Sequence, residues 1–378
     1  MRRSLFTLLI VGVAVAAVFR VGAPVGAQTR YTVRTEGDIV QLVDAREQIT
    51  VSVLTPVSNA YEMVVRGQDV IRKTWTSLDA LRKAPGLNGI PLLWPFANRL
   101  DEQAFYANGR KYSFDLGLGN TGRGAVPIHG YLTNAREWRV IEARADGNAA
   151  WVTSRLEFHR YPSYIKQFPF AHVLTMTYRL ADGMLEVRTH IENLSSDPMP
   201  VAIGYHPYFQ LTDSPRETWR LSVPAKTHWR LDARLLPTGE TEPVTTVLPD
   251  PARAALGTIA LDDVFSDLER DAQGRATVTI RGRQQQFDVM VGPNYKALVL
   301  YAPLGGGRGR RGGQAPAAGQ AGGLPAAPAP PPNWIAIEPM AGITNSMNLA
   351  EKGLYKELQS IPPGGVWQES FWLRPSGF

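Results

Sequence analysis

Five short stretches hold the residues best suited to chemistry. "GIPLLWPFANRL" ends an apolar run in Asn98-Arg99, and "AVPIHGYL" carries His129-Gly130. "VAIGYHPYFQL" sets His206 among apolar and aromatic residues, and "ALDDVFSDL" contains Asp262-Asp263. "WIAIEPMAGITNSMN" places Glu338 at the end of an apolar strand, with a loop after it. A carboxylate between apolar strand residues is a better base than a solvated one, because desolvation raises its pKa. An imidazole titrating near neutrality is a natural proton donor. The residue types therefore suit general acid–base catalysis.

Taken singly, each has an ordinary structural explanation. A lone histidine in an aromatic strand is more often structural than catalytic, and an arginine after asparagine is usually a surface cation. A glutamate ending a buried strand can simply cap or pair, and an aspartate pair before an aromatic is often a turn. Other chemistries fit less well. Glu338 with Asp262 as a glycosidase carboxylate pair leaves two histidines without a role. A zinc site from His159, His172 or His190 lacks tight ligand spacing. "GNTGRGAVPIHG" is glycine-rich but has no Gly-Lys-Ser/Thr, so it is not a phosphate loop.

The elements that must position these residues read as strands. In Met184–Asn193, Leu185, Val187, Thr189 and Ile191 face one way, and Glu186, Arg188, His190 and Glu192 the other. Leu174, Met176, Tyr178 and Leu180 likewise share a face. Further strand-like runs are Ala276–Ile280, Phe287–Val291, Ala297–Tyr301 and Val366–Leu373. Turn residues separate them, as in Ala181-Asp182-Gly183 and Gly292-Pro293-Asn294. Many short strands without intervening helices predict an all-β fold, a large antiparallel sandwich or barrel in a single domain.

Two segments stand outside this pattern. Residues 1–27 have a positive start (Arg2, Arg3), a short apolar run from Ser4 to Phe19, and small residues Val25-Gly26-Ala27 for cleavage before Gln28. That is the layout of a secretory signal peptide, which predicts a secreted or periplasmic protein with no membrane span after cleavage, with an uncleaved N-terminal anchor as the rival reading. Gly305–Pro332 is almost entirely Gly, Ala, Pro, Arg and Gln, the composition of a disordered loop inserted into the 28–378 domain. It would join Ala297–Tyr301 to Trp334–Ile337 as neighbouring strands. The chain has 0 Cys, so its core must hold it without disulfides. The formal charge of +6 is matched by Arg2, Arg3, Arg20, Arg308, Arg310 and Arg311 in these two acid-free segments. The remaining body is near neutral, which argues against a nucleic-acid partner. The sequence does not set the oligomeric state.

In this order the motifs resemble those of the aldose 1-epimerase (galactose mutarotase) family. The resemblance rests on Asn98-Arg99, His129-Gly130, His206-Pro207-Tyr208-Phe209, Asp262 with Asp263 and Phe265, and Glu338-Pro339 through Asn348. The closing "IPPGGVWQESFWL" fits as well, and the similarity runs from about residue 89 to 374. It implies a galactose-mutarotase-type β-sandwich that interconverts the α and β anomers of a hexose such as glucose or galactose, without cofactor or metal. A proton leaves the C1 hydroxyl, another reaches the ring oxygen, and the ring opens, turns and closes on its other face. The resemblance makes Glu338 the base and His206 the acid, with His129 bonding near the ring oxygen. Asn98, Arg99, Asp262 and Tyr208 would bind the sugar, with Asp263 a rival for Asp262. Trp94, Tyr208 and Trp334 are candidates to stack on it, though ordinary core packing is the commoner role for each. A non-catalytic sugar-binding protein is the alternative on the same fold. A sugar-phosphate epimerase is another, with Arg99, Arg123 and Arg136 flanking the His129 motif.

Overall fold

The computed structural model describes residues 29–121, 126–304 and 333–378. The expected leader, the segment 305–332 and Arg123 lie outside the described residues. Three antiparallel sheets build the body. An N-terminal five-stranded sheet runs from Tyr31–Glu36 to Gln68–Asp69 in simple sequential order. A nine-stranded sheet includes Arg220–Ser222, Ala276–Arg281, Gln286–Val291, Val366–Ser376, Met184–Asn193 and His172–Ala181 as successive neighbours. An eight-stranded sheet runs Pro237–Pro243, Ala225–Leu231, Leu261–Leu268, Ala297–Ala302, Ile335–Met340, Gly204–Tyr205 and Leu92–Leu93, with Tyr208–Phe209 also paired to Ile335–Met340.

The alternation predicted these long strands because it reflects burial. In Met184–Asn193, Leu185, Val187, Thr189 and Ile191 are buried while Arg188 is exposed. The hairpin before it turns at Asp182 and Gly183, both at positive φ (49° and 70°), as a tight two-residue connection requires. One continuous apolar core joins the inner faces of the two large sheets, with Val278, Ile280 and Phe287 from one and Leu298, Ile335 and Ile337 from the other. Ala297–Ala302 and Ile335–Met340 are direct neighbours across 305–332, as the sequence predicts.

The opposite face of the eight-stranded sheet carries a smaller apolar cluster of Leu93, Ala97, Trp229, Val264, Ala297, Val299 and Met340. By strand alternation this face also receives Asp262, Tyr301 and Glu338.

Candidate functional site

A break in one strand ladder builds the center of the site. Gly204 pairs with Met340, and Tyr208 and Phe209 pair with Ala336 and Ile335. Between them, opposite Ile337 to Pro339, the chain leaves the ladder as Tyr205-His206-Pro207. Pro339 has no N–H to offer, so it loses nothing in the gap. This departure swings His206 toward Glu338, bringing Nε2 to 3.2 Å from Oε1, with both side chains at least nine-tenths buried.

Two left-handed residues set the second wall. Asn98 (φ 56°) and His129 (φ 59°) both hold a backbone conformation that non-glycine residues rarely adopt. They are locked together, because the His129 amide donates to the Asn98 carbonyl at 2.9 Å. Gly130 follows, also at positive φ, and a Cβ there would lie 2.0 Å from the Trp94 carbonyl oxygen. Only glycine fits, which gives the His-Gly pair a physical reason. Strained backbone of this kind persists where the surroundings over-determine it, often at functional sites.

The result is an open cavity of about 220 Å³ lined by Leu87, Asn98, Arg99, His129, His206, Tyr208, Asp262, Tyr301 and Glu338. That is below the roughly 300–1,000 Å³ of sites for drug-sized ligands, and it suits a small polar molecule. His129 and His206 meet edge to face with ring centers 5.0 Å apart, and His206 stacks on Tyr208 at 4.7 Å. Arg99 donates to the Asn98 side-chain oxygen at 2.9 Å and lies 3.6 Å from Asp262.

Burial dominates the electrostatics. It lifts the Glu338 carboxyl well above its usual range; the nearby Asp262 charge adds to this and Arg99 opposes it. It pushes His206 down to about 3, with Arg99 adding to the effect. His129 is likewise driven well below its ordinary value by burial, then by His206 and Arg99. Asp262 is raised by burial against the pull of Arg99. Burial thus favours a protonated Glu338 carboxyl beside a neutral His206 imidazole, with Oε1 and Nε2 3.2 Å apart. Glu338 Oε2, His206 Nδ1 and His129 Nδ1 are buried without hydrogen-bond partners. Unpaired buried polar atoms are costly unless something satisfies them.

Three candidate contacts lie elsewhere. Asp263 does not face the cavity, because strand alternation turns it to the opposite side of the sheet from Asp262. There it bonds His228 Nε2 at 2.9 Å, while Glu242 bonds Nδ1 at 2.9 Å. Trp94 is fully buried and donates to His172 Nε2 at 3.0 Å, so it cannot stack on a ligand. Trp334 does not line the cavity either; it packs edge-on against Tyr208 and beside Tyr301. Asn348 is a tie rather than a wall, holding Asp101 at 2.7 Å and the Ala104 carbonyl at 3.0 Å. It joins the loop after Glu338 to the segment after Arg99.

Sequence reasoning missed Tyr301 and Leu87. The signal for Tyr301 was present, since it ends the predicted strand Ala297–Tyr301 and pairs with Asp262. His228 gave no signal, because its partners come from two neighbouring strands. Among the described residues no cluster of His, Cys, Asp or Glu is arranged to hold a metal ion, and no helix is long and apolar enough to cross a membrane.

Known proteins show the same architecture. A solved galactose mutarotase-like protein from Clostridium acetobutylicum shares 21% identity, with 90% of this chain and 95% of that chain covered at a TM-score of 0.74. Galactose 1-epimerase from Lactobacillus acidophilus shares 16%, covering 92% and 98% at 0.65. A GalM/aldose epimerase homologue from C. elegans shares 16%, covering 88% and 97% at 0.64. At these identities the likeness shows the fold. The sequence profile described as aldose 1-epimerase matches residues 71–348, a span that contains every residue lining the cavity. The chain belongs to the aldose 1-epimerase family.

Proposed function

We propose that the protein interconverts the α and β anomers of a free hexose such as glucose or galactose by acid–base ring opening. The observation that carries this reading is the buried His206–Glu338 contact at 3.2 Å, whose second carboxylate oxygen has no partner. With a sugar in the cavity, the proton held by Glu338 moves to His206, and Glu338 Oε2 accepts the proton of the C1 hydroxyl. His206 Nε2–H then donates to the ring oxygen, and the C1–O5 bond breaks to give the aldehyde. After the carbonyl turns, the ring closes by the same steps reversed. His129, kept neutral by burial, hydrogen-bonds near the ring oxygen. Arg99, Asn98, Asp262 and Tyr208 hold the hydroxyls. The leader-like sequence at 1–27 supports action outside the cytoplasm.

A protein that only bound sugar would have no need for an unpaired buried carboxylate oxygen beside an imidazole, so the enzyme reading is preferred over a pure binder. The sugar-phosphate alternative is weakened at Arg136. That guanidinium bonds the backbone carbonyls of Arg82 and Lys83 instead of facing the cavity. Arg99, the single cation lining the cavity among the described residues, is already engaged with Asn98 and Asp262. Polarimetry of freshly dissolved α-glucose and α-galactose, with and without purified mature protein, tests the reading. Relaxation faster than the uncatalysed rate is expected; no acceleration with either sugar would reject it.

A further inference from the structure

The outer face of the nine-stranded sheet carries a second concave site, on the opposite side of the sandwich from the sugar cavity. Arg220 and Arg281 are direct cross-strand partners, and so are Ser222 and Thr279. Leu221, Val278 and Ile280 between them point into the core, so these four side chains stand outward together. Arg253 joins them from the turn before the edge strand Ala254–Ala255, which pairs with Arg220 and Leu221. A cavity of about 510 Å³ results, lined by Arg220, Ser222, Ala252, Arg253, Thr279 and Arg281. It holds three guanidinium groups and two hydroxyls, with no carboxylate in its wall.

Like charges directly opposite each other on antiparallel strands are destabilising. Among the described residues no carboxylate pairs with either arginine. None of the three arginines forms an ion pair among the described residues, and residues 1–28, 122–125 and 305–332 contain no Asp or Glu. The carboxylate next along the sheet, Asp288, accepts hydrogen bonds from Thr279 at 2.7 Å and Gln286 at 2.9 Å. Arg281 is steadied by the Gln286 side-chain oxygen at 3.0 Å, which orients the guanidinium without neutralising it.

We propose that this basin is a second ligand site, for a small ligand bearing two phosphate-type oxyanion groups, such as a diphosphate. Guanidinium groups hold such oxygens in forked pairs, and three cations call for more than one anionic charge. Arg220 and Arg281 would grip one group between them, with Ser222 as a hydroxyl donor, and Arg253 would hold the second. The inference stands apart from the proposed epimerase activity, since no residue of the sugar cavity takes part.

The test uses the mature protein with inorganic pyrophosphate, orthophosphate and sulfate at matched ionic strength, read by calorimetric titration and melting temperature. Wild type is expected to bind pyrophosphate tightest, with affinity falling as salt is added. R220Q/R281Q should bind it at least about tenfold more weakly, the worth of one lost charge-assisted contact. Without anion, the same variant should melt no lower than wild type, because it removes the opposed charges. R253Q, which leaves the ladder untouched, should weaken pyrophosphate more than orthophosphate. Equal stabilisation of wild type and R220Q/R281Q by pyrophosphate, or no preference for pyrophosphate over sulfate, would overturn the proposal.

Discussion

Two buried histidines on the eight-stranded sheet show opposite ways of living beside carboxylates. His206 has Glu338 at 3.2 Å, yet its Nδ1 and Glu338 Oε2 are left without partners. His228 has Glu242 on one nitrogen and Asp263 on the other, each at 2.9 Å. Asp263 spends its remaining oxygen on the Asp262 amide at 3.1 Å. Burial pulls the pKa of His228 down, but the Asp263 and Glu242 hydrogen bonds outweigh it and leave it raised; His206 is driven down. A closed network acts as a structural clamp, whereas an open one leaves polar atoms that a ligand could satisfy. The state of the remaining polar atoms separates the two roles better than burial does.

The largest expected effect is at Glu338. Glu338→Gln should slow mutarotation by about 10²–10⁴-fold, the usual worth of a positioned base. It should not cost stability. Folded Glu338 keeps its proton to higher pH than the unfolded group with its ordinary 4.5, so wild type loses stability as pH rises through that interval. The glutamine variant lacks this loss and should melt higher than wild type above it. Polarimetry beside calorimetric melting reads both.

At His228 the balance should reverse. His228→Asn breaks a buried ionic clamp and should lower stability by about 2 kcal/mol, less than a fully buried pair because Glu242 is partly exposed. kcat should stay within about threefold, with KM rising modestly if the Asp262 backbone loosens. The raised pKa fixes the sign with pH. The clamp contributes fully below the unfolded value of 6.5 and is lost as pH rises through the higher folded value. The stability gap between wild type and variant should therefore narrow at alkaline pH in denaturant titrations.

The smallest effect sharpens the comparison with a third histidine. His172 is closed like His228, accepting from Trp94 at 3.0 Å and donating to the Phe170 carbonyl at 2.7 Å. Trp94→Phe removes one hydrogen bond and should cost about 1 kcal/mol. Sugar KM should be unchanged, and a large rise in KM would put Trp94 back at the ligand.

Much of the fold was legible because long strands carry their alternation in the sequence. Met184–Asn193 and His172–Ala181 are examples, and the all-β fold class followed from such runs. The two-residue strands Leu92–Leu93, Gly204–Tyr205 and Tyr208–Phe209 were not legible, since two residues have no period. Yet these short pieces place His206. Adjacent acids at 262 and 263 could not be told apart, because which one faces the cavity depends on register against Ala297–Ala302. The partner that fixes Trp94 in the core, His172, is 78 residues away and gave no local signal. Asn98-Arg99, His129, His206, Tyr208, Asp262 and Glu338 do converge on one cavity, which local composition alone could not have shown.

The most direct test of the open pair is the pH dependence of kcat/KM for wild type and His206→Asn, with melting temperatures measured on the same samples. With Glu338 as base and His206 as acid 3.2 Å apart, wild type should give a bell-shaped profile. The acid limb should lie low, where the pair takes a second proton, and the alkaline limb above the usual carboxylate range, where it loses its last. His206→Asn should lose about 10²-fold or more in rate and flatten the bell while melting close to wild type. A variant that melts early but keeps the wild-type rate and profile would contradict the account, and would make His206 a clamp like His228.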